Sequence, residues 1–147
     1  MRHSLTLAQY VKKRTGVPLG AKGSMQAMLT KSLGAGSFAG FWRHWNPVWS
    51  YYLSRFVMRP LHNVLPFWLS VILTFAVSGA LHDAAVILVK WQPIFLFTPW
   101  FSLMGLMVVV LSALNINYQS QSIPVRMLIN VTLISVSFYL IRQLSII

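Results

Sequence analysis

Beyond about residue 64 the sequence is almost continuously apolar. Leu65 to Val89, Phe95 to Leu114 and Val125 to Leu144 are three runs separated by short polar or proline-bearing stretches. About 20 apolar residues are needed to cross a hydrocarbon core. All three runs reach that length, and a chain of 147 residues has no room for a separate soluble core. The expectation is therefore an all-α integral membrane protein with about three transmembrane helices. The first run exceeds one crossing, so a tilt or a break near Gly79 is expected. The third carries Arg126, Asn130, Thr132 and Arg142 in or beside it. There Pro124 opens the helix, and Arg126 and Arg142 snorkel to opposite surfaces. Trp68, Trp91 and Trp100 fall near the expected ends, where interfacial tryptophans belong.

Charge orients this arrangement. Twelve Lys and Arg stand against one acidic residue, for a net charge of +11. With 9% charged and 56% hydrophobic residues, the chain does not have the composition of a nucleic-acid binder. A cationic face meeting anionic headgroups fits both values. Nine of the twelve cations precede residue 63, which places the N-terminal third in the cytoplasm. Three crossings then put Lys90 and the C-terminus outside and Arg126 inside. No apolar core of a leader lies between Arg2 and Arg14, so a cleaved signal peptide is not expected. The absence of cysteine excludes disulfides and a cysteine-ligated metal. No metal-ligand spacing links the four histidines.

A single membrane domain of residues 1–147 is expected, in three parts. Residues 1–40 form a basic cytoplasmic segment. In it Ser4 caps a helix from Leu5 to Arg14 that stops at Gly16 and Pro18, and a second helix spans Ser24 to Leu33 with Met25, Met28 and Leu29 on one side. Gly34, Ala35, Gly36 and Gly40 read as flexible. This segment reads as lying on lipid, with docking of an acidic acyl donor or partner as the second use.

Residues 41–62 form an interfacial helical motif. Trp42, Trp45, Trp49, Tyr52 and Phe56 recur at helical spacing and share one face. Asn46 before Pro47 reads as N-cap and first helical residue. That helix should end near Arg59, because Pro60 disfavours helical geometry in the residue before it. A basic helix rich in Trp and Tyr suits the headgroup boundary. Arg43, Arg55 and Arg59 read as interfacial anchors, with binding of donor phosphates as the alternative. His44 and His62 read as interfacial polar groups.

Residues 63–147 carry the transmembrane helices, and within the first of them His82 stands beside Asp83, the only acid. An imidazole in such a run is either satisfied by a neighbour, such as Ser78 four residues back, or used. On a helix the Asp83 side chain diverges from His82 by about 100°. It is therefore expected to pair with an arginine or to sit at a water-filled mouth.

Two motifs carry a resemblance. The first is S-F-x-x-F-W-x-x-W followed by His or Asn, present as Ser37, Phe38, Phe41, Trp42, Trp45 and Asn46. The second is S-G-x-x-H, present as Ser78, Gly79 and His82. In this order, over roughly a third of the chain, they resemble the C-terminal catalytic core of the membrane-bound O-acyltransferase family. The resemblance implies transfer of an acyl group from a thioester donor to a hydroxyl. His82 would be the general base and Asn46 the assisting amide, which can donate to a developing oxyanion. Acyl-CoA or an acyl-carrier thioester would be the co-substrate, with no bound cofactor and no metal. The expected location is a bacterial inner membrane, multi-pass, with membrane lipids and the acyl donor as partners. Family members run to several hundred residues with many more helices. A second membrane subunit or a homo-oligomer would therefore complete the acyl tunnel, and the alternative is a non-catalytic subunit that retains the core motif.

Overall fold

The computed structural model describes residues 4–145. Arg2, at the start of the stretch scanned for a leader, lies outside them. All regular structure among the described residues is helical. The chain divides into two compact units: residues 4–52 with 117–130, and residues 53–116 with 131–145.

The first unit opens with α1 (Leu7–Thr15), which starts later than a Ser4 cap would place it. Thr6 is the cap. Its hydroxyl accepts from the Gln9 N–H at 3.3 Å, and the Gln9 side chain accepts from the Thr6 N–H at 2.9 Å. Three residues after Ser4 stands Leu7, which has no acceptor to return, so the reciprocal pair selects Thr6. Gly16, at φ 82°, ends the helix. The second helix, α2 (Ser24–Leu33), spans the residues its pattern indicates.

The Gly34–Gly36 stretch is tied down, in contrast to the expected flexible segment. Asn130, fully buried, donates from Nδ2 to the carbonyls of Leu33 (2.8 Å) and Ala35 (3.0 Å). The Tyr118 N–H donates to the Gly36 carbonyl at 2.7 Å, and the Tyr118 hydroxyl donates to Asn130 Oδ1. A Cβ on Gly36 would lie 2.8 Å from Gln119 Cα. At the N-terminal end of α8, the Arg126 guanidinium donates to the carbonyls of Gln121 (2.8 Å), Gln119 and Gly34 (3.5 Å). Gly40 lies inside α3 (Phe38–His44) and donates its N–H to the capping Ser37 hydroxyl at 3.0 Å.

Phe38 and Phe41 are buried and form the unit's aromatic core with Trp42 and Trp45. The tryptophan face is therefore partly interior. It is also interrupted, since Trp45 is extended and Asn46 is left-handed before α4 (Pro47–Leu53).

The helix does not stop at Arg59. A π-helical turn, Ser54–Met58, leads into α5 (Arg59–His62), and the Arg59 N–H bonds the Ser54 carbonyl five residues back. A proline ring in a helix clashes with the carbonyl four residues earlier. The wider turn shifts those carbonyls by one residue and lets the helix pass Pro60.

In the second unit α6 (Phe67–Lys90) runs unbroken through Gly79. Gly79 serves a close approach: a Cβ there would lie 2.7 Å from Thr98 Cα on α7 (Phe97–Ala113). Farther along, Gly105 on α7 meets Phe75 and Ile72, so the two helices pack antiparallel on small residues. The second half of α8 (Ile123–Leu144) joins them, with Trp100 Nε1 donating to the Ser137 hydroxyl at 3.0 Å. Among the described residues two helices, α6 and α8, are long and apolar enough to cross a membrane. The expected third, α7, has 17 residues and spans about 25 Å at 1.5 Å per residue. Its ends are set early, because Leu96 falls in the turn before it and Leu114 in its C-terminal cap.

Candidate functional site

The S-G-x-x-H-D segment occupies slightly more than one turn of α6, and its residues divide into two roles. Ser78, Gly79 and Asp83 are buried, the last two against α7, while His82 is half-buried. Asp83, 4% exposed, accepts hydrogen bonds from the N–H groups of Leu96 (3.1 Å), Phe97 (2.9 Å) and Thr98 (2.8 Å). It also accepts from the Thr98 hydroxyl at 2.6 Å. Leu96 cannot cap α7 with its own side chain, so a carboxylate on the neighbouring helix does it. The expected arginine partner or water-filled mouth is replaced by this cap. Anionic oxygen at a helix N-terminus also complements the positive end of the helix dipole.

His82 donates from Nδ1 to the Ser78 carbonyl oxygen at 2.6 Å. The acceptor is the main chain, one turn back. A carbonyl only accepts, so Nδ1 carries the hydrogen and Nε2 is the basic nitrogen of the neutral ring. The ring packs against Phe101 (4.9 Å between centroids) and Phe97 (5.7 Å). Both phenylalanines belong to the turns of α7 that Asp83 initiates. Asp83 therefore acts on His82 through α7: it fixes where the helix begins, and hence where Phe97 and Phe101 stand. His44 makes a similar contact, with Nδ1 on the Gly40 carbonyl at 2.9 Å. That contact alone does not distinguish a working histidine. What sets His82 apart is the aromatic wall opposite it.

Asn46 belongs to the other unit. Its Oδ1 accepts from the Trp49 N–H at 3.2 Å, the expected cap, and its own N–H points to Met28 Sδ at 3.3 Å. Its φ of 39° is left-handed, which asparagine tolerates better than most residues. Capping engages Oδ1, so any donation to a substrate would come from Nδ2. His62 is exposed beside Phe67, and Arg43, Arg55 and Arg59 are exposed. The residues that composition gave least reason to single out are Asn130 and Tyr118, whose shared hydrogen bond holds the first unit's loop. The one available signal was an asparagine inside an apolar run. No family model, characterised protein or solved structure matches this chain. Its own residues therefore carry the functional reading.

Proposed function

We propose that this chain is a membrane-embedded acyltransferase component, with His82 as general base for acyl transfer to a hydroxyl. The observation that carries it is His82 itself: a tautomer set by the Ser78 carbonyl, an aromatic wall, and an S-G-x-x-H context. In this reading Nε2 takes the proton of an acceptor hydroxyl as its oxygen attacks a thioester carbonyl. The tetrahedral adduct then expels the thiolate, which takes the proton back from the imidazolium, giving an ester and a free thiol. General-base catalysis of this kind contributes about 10²–10⁴-fold. The motif, and not the geometry, assigns Asn46 its assisting part, and the donor is acyl-CoA or an acyl-carrier thioester.

The membrane reading draws on uncovered apolar surface. Leu81, Leu88 and Val89 on α6 and Leu128, Val131 and Leu140 on α8 are exposed. Exposed apolar side chains along helices of this length and composition need lipid or another chain against them. We place the basic N-terminal segment on the cytoplasmic side, and the loop of residues 117–121 with it because its hydrogen bonds close onto residues 33–36. In that arrangement α6 leaves, α7 returns despite its 17 residues, and α8 leaves again.

The same exposed helices favour a second reading, a subunit that retains the core motif and relies on a partner for the tunnel walls. Radiolabelled acyl transfer decides between them, measured in membranes carrying this chain alone or with its genomic neighbours. Activity of the chain alone that disappears in His82→Ala supports the first reading. Activity only with a multi-helix neighbour, still lost in His82→Ala, makes it a split enzyme. Unchanged turnover in His82→Ala ends the catalytic reading.

A further inference from the structure

We propose that the outer surface of the N-terminal unit, formed by α1, the turn after it and the uncovered side of α2, docks on the anionic phosphates of a membrane leaflet. Met25 and Leu29 enter below the headgroups in this arrangement. The inference rests on the membrane reading of α6 and α8 and is independent of acyl transfer.

Two observations carry it. The first is charge without counter-charge. Lys12, Lys13, Lys22 and Lys31 are exposed. The unit contains no carboxylate side chain, because the only acidic residue of the chain is Asp83, in the other unit. Water-facing surfaces ordinarily intersperse both signs.

The second observation is apolar. Met25 is 65% exposed and Leu29 is 37% exposed. They lie four residues apart on one stripe of α2. Met28, expected on the same side, is half-buried, with its sulfur accepting the Asn46 N–H. Lys22 stands three residues before Met25, and an apolar stripe beside a cation is the pattern of an element lying in a headgroup layer. The long lysine stems let the ammonium groups reach phosphate from the same surface. An acidic protein would meet the cations and leave Met25 and Leu29 without a role, so lipid is the occupant the surface fits.

Each cation near an anionic leaflet strengthens association by about fivefold. Removing three should therefore lower the docked fraction on the order of 100-fold. Because the chain has no cysteine, single spin labels can be placed through Met25→Cys and Val77→Cys in the full chain. The chain is reconstituted in vesicles of phosphatidylcholine, with or without phosphatidylglycerol, and collision with oxygen or a nickel chelate gives the depth of each label. The expected result is a Val77 label in lipid in both vesicles and a Met25 label at headgroup depth only with phosphatidylglycerol. High salt, or Lys12→Gln, Lys13→Gln and Lys22→Gln together, should return the Met25 label to water. A Met25 label in water on anionic vesicles, with the Val77 label in lipid, overturns the proposal and leaves the membrane reading standing. Equal depth on both vesicles overturns the recognition of a net anionic leaflet, and the proposal with it. A Val77 label in water overturns the membrane reading and this proposal with it. If the triple variant fails to insert, its own Val77 label reports that, and the salt titration on the unsubstituted lysines decides.

Discussion

Asp83 and Thr98 are joined twice: the Thr98 N–H, at 2.8 Å, and the Thr98 hydroxyl, at 2.6 Å, both reach the same carboxylate oxygen, Oδ2. The other oxygen takes the N–H groups of Leu96 and Phe97. Four donors therefore converge on one buried carboxylate, and the loop between α6 and α7 is held at its far end by a side chain from the helix before it.

Asp83→Ala should lower stability by about 2 kcal/mol, because three main-chain donors lose an anionic acceptor. Asp83→Asn should fall between, since an amide supplies one acceptor oxygen and turns an NH2 group toward the remaining donors. Thr98→Val should cost roughly 1 kcal/mol through the lost hydroxyl bond, and Thr98→Ser should cost little. Melting of the purified chain in detergent, followed by circular dichroism, measures all four. An Asp83→Ala chain as stable as the parent would refute the capping account.

Gly79 adjoins that cap. Its missing side chain lets the Phe97–Thr98 backbone lie against α6, and the atoms a Cβ would meet are main-chain atoms that cannot rotate away. Gly79→Ala should therefore destabilise the chain even though alanine is the better helix former. A larger residue, as in Gly79→Leu, should separate α6 from α7 and move Phe97 off the His82 ring. The check is melting together with near-ultraviolet circular dichroism, and a stabilised Gly79→Ala chain would contradict the close approach.

The helices were readable from sequence because length and apolar periodicity reach that level directly. Residues Ser24 to Leu33, Gly16 as a stop and Asn46 before Pro47 all followed from local chemistry. Asp83 did not, because its partners lie 13 to 15 residues away and belong to a turn whose N–H groups have no sequence signature. Gly79 read as a weak point for the same reason. A glycine that breaks a helix and one that admits a neighbouring backbone are indistinguishable until the neighbour is placed. Asn130 and Arg126 likewise looked like flaws in an apolar run, yet both engage carbonyls more than 90 residues earlier. For the candidate site, the motif points to His82, but the aromatic wall that Phe97 and Phe101 set against it has no signature in the sequence.

Tyr118 gives the first unit a pH signature. Burial pushes its phenol up to about 12 from an ordinary 10.0. The folded form holds the proton more tightly than the unfolded chain does. Its contribution is thus fully present below pH 10.0 and is lost as pH rises toward about 12. Melting temperatures should fall through that window in the parent more steeply than in Tyr118→Phe, which has no proton to lose. Parallel slopes would show that the phenol is not responsible.

On the proposed cytoplasmic placement of the N-terminal segment, the hydrogen bonds that close residues 117–121 onto residues 33–36 put that loop on the same side. Reporters inserted after Trp91 should read periplasmic. Those inserted in the turn before Tyr118 should read cytoplasmic, as should one at the N-terminus. A reporter at the C-terminus should read periplasmic. If the insertions after Trp91 and before Tyr118 read on the same side, α7 does not cross, and its 17 residues lie along or within one leaflet.

Asn46 separates capping from catalysis, because its two side-chain atoms would serve the two roles. The cap uses Oδ1, and the backbone at φ 39° disfavours most other residues. Asn46→Ala loses the acceptor and strains the backbone, so its cost should reach the upper part of the 0.5–2 kcal/mol range for a lost cap. Asn46→Gly relieves the backbone but lacks the acceptor and should fall between. Asn46→Asp keeps an acceptor, tolerates the left-handed geometry and places negative charge at a helix N-terminus, so it should match the parent. A carboxylate cannot donate to an oxyanion, however. If Nδ2 assists acyl transfer, Asn46→Asp should melt like the parent and still lose activity by about 10²-fold or more, the usual cost of removing an oxyanion donor. If activity instead follows the melting temperature across Asp, Gly and Ala, Asn46 serves only to start α4.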